Sequence, residues 1–354
     1  MCFLCKNIYQ NINCFTNLIG HETKLINENT NSILNPLVSI IITVYKRKEY
    51  IHDAINSAIH QINIDFDYEI LVLCDDPEME LSEFNNYNNT KNIFICRNQR
   101  NLGLYNSINF GAQIARGRYI AFLHDDDILY PEYLSEINKF LLKKEYEPKC
   151  VLVNRDVSGL SFNNPIKNII KFILRIIFLP FFFLRFILRK PYKIITLKEG
   201  LMYVLSNIYK APSCGTLFEK DTFLKSGGFN QDFWPVSDYY YFLKFNRDFP
   251  VYMLRKKLAC YRWFDNLSQN KSVQHAGFRH LFNFFKSVQP IKSINKYYSY
   301  FYNEVLYAKF IMINKEYRDE IIDTYKEIKQ HNKIKWFIFK FYNKAFGFFH
   351  DIIV

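Results

Sequence analysis

Two apolar runs in this chain end directly in carboxylates. Tyr68-Glu69-Ile70-Leu71-Val72-Leu73-Cys74 leads into Asp75-Asp76-Pro77, and Tyr119 to Leu123 leads through His124 into Asp125-Asp126-Asp127. Leu37-Val38-Ser39-Ile40-Ile41-Ile42-Thr43-Val44 is a continuous β-rich run of the kind that a parallel strand buried on both faces requires, and Ile93-Phe94-Ile95-Cys96 is another. Helical spacing fills the gaps. Ile51, Ala54, Ile55, Ala58 and Ile59 predict a helix over 49–61, and a second is predicted over 104–115. Four strands with helices between most of them predict an open α/β sheet, mostly parallel and Rossmann-like, with helices on both faces. Ligands of such sheets bind beyond the carboxyl ends of the strands, where both acidic clusters fall. A carboxylate cluster there suits a hard divalent cation carrying a diphosphate. Taken alone, the Asp run is equally a solvated turn before Pro131 that caps a helix predicted over 132–142.

The material around the acids resolves that ambiguity. Val38 to Tyr45, the Asp75-Asp76 turn, Asn101-Leu102-Gly103 with Asn109, Ala115-Arg116-Gly117-Arg118-Tyr119, and the Asp cluster followed by Pro131 together resemble the family 2 glycosyltransferases of the GT-A fold. The resemblance runs from about residue 37 to 140. It implies that Thr43, Tyr45, Asp75, Asn109, Asp125 and Asp126 line a nucleotide pocket, with Asp75 accepting a hydrogen bond from the base. It also implies that Asp126, with Asp127 beside it, binds Mg²⁺ or Mn²⁺. Further on, Pro212-Ser213-Cys214-Gly215-Thr216-Leu217-Phe218, Gly227-Gly228-Phe229 and Ser237-Asp238 resemble the acceptor half of these enzymes, in which the residue at Asp238 is the general base. Ser237 and Asp238 also suit a helix start.

Two positions depart from the family pattern. Ser107-Ile108 stands where many relatives carry Ala-Arg, and Phe264 replaces a His after Tyr261-Arg262-Trp263. The diphosphate contacts must then differ, with Arg262 and Lys271 as the candidates. The reaction itself explains the residue types. A divalent cation neutralises a diphosphate leaving group without proton transfer, and a separate carboxylate takes the proton of the attacking hydroxyl. Attack from the face opposite the diphosphate inverts the anomeric carbon, so two separated acidic sites are expected.

The predicted segments are a leader over 1–36, a GT-A domain over 37–265, an insertion over 165–193 within it, and a helical extension over 266–354, with 37–140 and 195–265 as the nucleotide and acceptor halves. The net charge of +12 concentrates beside apolar segments. At about 100° per residue, Lys167, Lys171, Arg175, Arg185 and Arg189 fall within roughly 80° of one another, opposite Ile, Leu and Phe. The longest charge-free run, Ile176 to Leu184, falls short of the roughly 20 residues of a spanning helix. The insertion therefore reads as amphipathic helix in an anionic membrane interface, kinked at Pro180, with Lys171, Arg175, Phe181, Phe182, Arg185 and Arg189 as contacts. A buried hairpin with a solvated basic stripe is the competing reading. Lys335 to Phe349 is a weaker second anchor.

The eight cysteines do not imply disulfides, since no secretory signal is apparent. Cys2, Cys5, Cys14 and His21 have irregular intervals for a zinc site. The expectation is an inverting, metal-dependent transferase on the cytoplasmic face of a membrane. It would move a sugar from a nucleotide sugar, first of all a UDP-sugar, to a glycan or lipid-linked acceptor of a surface polysaccharide. Nucleic acid is not an expected partner, because the charge follows amphipathic segments rather than a stacking platform. The alternatives are a nucleotidyltransferase, for which Tyr45-Lys46-Arg47-Lys48 lacks the glycines of a phosphate loop, and a membrane scaffold with a decayed site.

Overall fold

The computed structural model of the chain describes residues 23–25, 35–142, 147–158, 191–195, 214–262 and 270–287. All but Pro191 belong to one compact unit spanning 1–159 and 192–303. The strands are β1 (Thr23–Leu25), β2 (Val38–Val44), β3 (Tyr68–Cys74), β4 (Ile93–Asn98), β5 (Tyr119–His124), β6 (Ile128–Leu129), β7 (Cys150–Ser158), β8 (Tyr192–Ile195), β9 (Leu217–Glu219) and β10 (Val251–Arg262). The helices are α1 (Ile51–Ile59), α2 (Leu104–Ile114), α3 (Tyr133–Leu142), α4 (Lys220–Lys225), α5 (Ser237–Asp248) and α6 (Lys271–Ser287).

The strands form one mixed sheet in the order β1-β4-β3-β2-β5-β9-β7-β10-β6, with β8 added alongside β10. β4, β3, β2 and β5 are parallel neighbours. The order reverses between β2 and β5, which opens a crevice beyond their carboxyl ends. Alternate residues of β2 explain the two-layered core. Val38, Ile40, Ile42 and Val44 pack with Ile51, Ala54, Ile55 and Ala58 of α1 and with α3. Ile41, on the other face, packs with α2 and with Phe242 and Phe245 of α5. Both faces of the sheet are thus covered, as the unbroken apolar strands require.

At the amino end of these strands a small polar network locks their stagger. The buried Glu69 carboxylate accepts from Ser39 Oγ at 2.6 Å, from Arg116 N at 2.7 Å and from Arg116 Nε at 2.8 Å. Gly117 N in turn donates to Ser39 Oγ at 2.8 Å. The turn into β5 therefore presses directly on β2.

The predicted elements in the first half are found, with ends displaced by a few residues. The end of the proposed amphipathic insertion differs: Tyr192 and Lys193 lie in β8, paired antiparallel with Leu254 and Met253 of β10. The backbone groups of β10 there take a strand partner, which fixes those two residues in the sheet. The rest of the insertion, with Lys171, Arg175, Phe181, Phe182, Arg185 and Arg189, lies outside the described residues, as do the cysteine-bearing leader, Phe264 and the extension beyond 287. Among the described residues no helix is long and apolar enough to cross a membrane.

Gly117 is required by close approach. A Cβ there would lie 2.5 Å from Ser39 N and 2.8 Å from Tyr119 O, both main-chain atoms of the sheet. Gly117→Ala should lower the unfolding free energy by roughly 1–3 kcal/mol, because this clash outweighs the small gain from a stiffer unfolded chain. Urea denaturation checks it, and unchanged stability would show that the turn can move off β2.

Candidate functional site

The crevice is built where β2 and β5 end. Thr43 pairs with His124, so the residues that follow, Val44 to Arg47 and Asp125 to Asp127, leave the sheet side by side. The acids are held in a tight turn, Asp127 N donating to His124 O at 3.2 Å. Asp126 and Asp127 are buried, and Thr43 is buried beside them. Tyr45 is exposed at the rim, with Lys46 Nζ 5.3 Å from its ring. Arg47 Nη2 lies 3.0 Å from Asp126 Oδ2 and 3.6 Å from Asp125 Oδ1.

Asp127 faces elsewhere. Its Oδ1 accepts from Arg262 N at 3.1 Å, and its Oδ2 is buried with no hydrogen bond among the described residues. Burial raises the Asp125 carboxyl to about 7 against the pull of Arg47, with the Asp126 charge adding to the rise. Burial, again with Asp126, raises Asp127 to about 8, opposed by Arg155. Burial first, and then the Asp127 charge, keeps the Cys214 thiol protonated. Arg155 comes from β7 and is buried, its guanidinium 4.7 Å over the Tyr261 ring.

Asp75 and Asn109 both hydrogen-bond to neighbouring loops of the fold. Asp75 Oδ1 accepts from Asn98 Nδ2 at 2.8 Å and from Leu102 N at 2.9 Å, and its Oδ2 accepts from Gly103 N at 2.9 Å. The carboxylate therefore holds the loop that starts α2. Gly103 sits there at φ 81°, a left-handed conformation that favours glycine. Asn109 spends both ends of its amide on the main chain of Phe229, donating at 2.6 Å and accepting at 2.9 Å. Both residues shape the crevice wall, because the adjoining loops leave main-chain groups that need partners.

Asp238 lies in the first turn of α5, where the helix dipole favours a carboxylate. It does not cap the helix. Its Oδ1 accepts from Tyr239 N at 2.9 Å and from the Tyr105 hydroxyl at 3.2 Å. Ser237 Oγ accepts from Asn230 N at 2.8 Å, which ties the preceding loop to the helix. Burial raises the Asp238 carboxyl to about 6, while Tyr239 N–H, the Tyr105 hydroxyl and the Arg155 charge pull it down. Arg155 thus acts on both Asp127 and Asp238. Tyr105 stands on α2 two residues after the loop that Asp75 holds. A chain of contacts therefore runs from Asp75 through α2 to Asp238.

The predicted phosphate cations, Arg262 and Lys271, stand at the end of β10 and the start of α6. The Arg262 guanidinium turns to Asp53 at 2.8 Å and lies 5.1 Å over the Tyr50 ring, so only its main-chain N–H reaches Asp127. Lys271 is exposed at the start of α6. Arg47, Tyr105 and Arg155 are site residues that the sequence reading did not single out.

Residues 39–204 match the family model described as Glycosyl transferase family 2. Two curated relatives are an uncharacterized glycosyltransferase of Haemophilus influenzae, 34% identical over 113 residues, and one of Methanocaldococcus jannaschii, 36% identical over 110 residues. These matches cover 31% and 30% of this chain, and 34% and 37% of the relatives, so the chain spans about a third of their length. Among solved structures, S. aureus TarS 1-349 is similar with a TM-score of 0.51 at 14% identity, over 79% of this chain and 72% of that one. The same TarS piece in complex with UDP-GlcNAc gives a TM-score of 0.53 at 14% identity, over the same shares. Residues 39–204 are thus similar in sequence to Glycosyl transferase family 2, and the α/β sheet is similar in fold to that of TarS.

Proposed function

We propose that the chain is an inverting glycosyltransferase that moves a sugar from a nucleotide-diphosphate sugar to an acceptor hydroxyl, with Asp238 as general base. The observation that supports this most is the environment of Asp238. It is a buried carboxyl raised to about 6, oriented by the Tyr105 hydroxyl and linked through α2 to the acid end of the sheet. A base needs such a value near the working pH, and a geometry fixed before the substrate arrives. UDP is the first nucleotide to try, since TarS has been solved with UDP and with UDP-GlcNAc.

Thr43 and Tyr45, at the end of β2, and Asp75, through the loop it holds, bound the nucleotide side of the crevice. Asp125, Asp126 and Asp127 offer the hard oxygen donors that Mg²⁺ or Mn²⁺ prefers, and the orphaned Asp127 Oδ2 and the guanidinium parked on Asp125 and Asp126 both mark a place that wants positive charge. No three His, Cys, Asp or Glu side chains converge among the described residues. The ion would therefore rest on Asp126 and one neighbour, its other positions filled by diphosphate oxygens and water. When bound, it would neutralise charge developing on the leaving diphosphate. Asp238 would hold the acceptor hydroxyl and take its proton as the oxygen attacks the anomeric carbon.

The acceptor is proposed to be a glycan or lipid-linked glycan of a surface polysaccharide, at an anionic membrane on the cytoplasmic side. The sequence supports this through the basic amphipathic stretch within 165–193. Deleting residues 167–190 should release the protein from anionic liposomes in a flotation assay; undiminished flotation would remove the membrane from the reading.

Asp126→Ala should abolish Mn²⁺-dependent UDP binding by calorimetry, and retained binding would place the metal elsewhere. Asp238→Asn should keep that binding and lower kcat by roughly 10²–10⁴-fold. The base works only when deprotonated, so kcat should climb as pH rises through about 6 and level off above it. Tyr105→Phe removes a donor that favours the Asp238 carboxylate, so it should move this acid limb to higher pH while leaving UDP binding intact. An unmoved limb would assign the titration to another group.

A further inference from the structure

Arg47 carries none of the roles above, yet it sits at the centre of the acid cluster. Lys46, at φ 60°, turns the chain sharply as it leaves β2, and Arg47 N donates to Tyr45 O at 2.7 Å within that turn. The turn folds the guanidinium back across the crevice. One nitrogen, Nη2, spans Asp126 Oδ2 at 3.0 Å and Asp125 Oδ1 at 3.6 Å. The other, Nη1, is buried and makes no hydrogen bond among the described residues. A settled arginine–carboxylate pair uses both nitrogens in a fork, and this one does not. Its position on the loop, 27% exposed against 7% for Asp126, leaves it a path outward that the carboxylates lack.

The oxygens that Nη2 contacts are the ones a divalent cation would take. A guanidinium and a divalent cation a few ångströms apart repel each other, so they cannot share the pair. A diphosphate, in contrast, matches the planar fork of Arg and would supply Nη1 with the acceptor it lacks. We propose that Arg47 is the resident counterion of the Asp125–Asp126 pair, displaced when a divalent cation enters and taken up by the diphosphate of the donor. This rests on the metal-assisted reading above and adds an order of events to it. Metal alone is held weakly because it must evict a cation that has nowhere to go. Metal with diphosphate is held tightly because the evicted cation gains a new partner.

The experiment is a Mn²⁺ titration of wild type, Arg47→Met and Arg47→Lys, with free Mn²⁺ followed by electron paramagnetic resonance, without nucleotide and then with saturating UDP. Without UDP, Arg47→Met should bind Mn²⁺ roughly tenfold more tightly than wild type, which corresponds to about 1.4 kcal/mol. With UDP that advantage should vanish, and the affinity of Arg47→Met for UDP in Mn²⁺ should fall below wild type. Arg47→Lys keeps the charge and loses the fork, so it should match wild type for Mn²⁺ alone and bind UDP more weakly. Equal or weaker binding of Mn²⁺ alone by Arg47→Met would overturn the counterion role while leaving the metal site standing. Failure of all three proteins to bind Mn²⁺ under either condition would overturn the metal reading and this proposal with it.

Discussion

The parallel pairing of β2 with β5 is the constraint from which the site follows. Val38 pairs with Tyr119 and Thr43 with His124, so the ends of the two strands lie side by side and leave the sheet together. α1, which follows β2, packs on one face of the sheet and α2, which leads into β5, on the other. A register slip of one residue would turn every β2 side chain to the wrong layer and move the carboxylates off the crevice. The Ser39–Glu69–Arg116–Gly117 network at the far end fixes that register with groups that play no part in the site. Position is secured at one end of the sheet and used at the other.

The used end works against folding. Asp238, Asp125 and Asp127 bind protons more tightly in the folded chain, at about 6, 7 and 8, than the value of about 4 expected of an unfolded carboxyl. For a carboxyl raised in this way, the stabilising contribution is present below the unfolded value and is lost as pH rises through the folded one. At neutral pH and above, the site is thus a load on the fold, carried by the apolar layers around it. Arg47 and Arg155 lighten that load without removing it, as both oppose the shifts.

Hydrophobic period made the first half legible, since β2, β3, β4 and β5 are largely apolar and α1 and α2 repeat at helical spacing. The second half gave less. β9 has three residues and β6 two, too few for a period to show. β10 carries Arg255, Lys256 and Lys257 in mid-strand, where its register against β7 shifts between Leu254 and Lys257, so its alternation breaks at that point. The site divides the same way. The acids announce themselves because they follow apolar strands. The partners that Asp75 and Asn109 take within the fold do not, because Leu102 N and the Phe229 main chain lie 27 and 120 residues away along the chain. Tyr105 reads as part of the apolar face of α2, and only the fold shows that its hydroxyl emerges from that face onto Asp238.

That dual use of Tyr105 explains why so many aromatic residues gather under α5. Phe122, Phe218, Phe223, Phe229 and Tyr241 pack with tilted or edge-to-face rings, centroids 5.0 Å apart for Phe223–Tyr241 and Phe229–Tyr241 and 5.4 Å for Phe122–Phe223. Tyr105 joins them through Phe229 at 5.5 Å. Rings lose little rotamer freedom on burial and leave few alternative packings, so the platform is stiff. α5 therefore cannot shift Asp238 without disturbing β5, α2 and α4 together. The two acidic groups are held to one frame by different means, the cluster by strand register and Asp238 by aromatic packing.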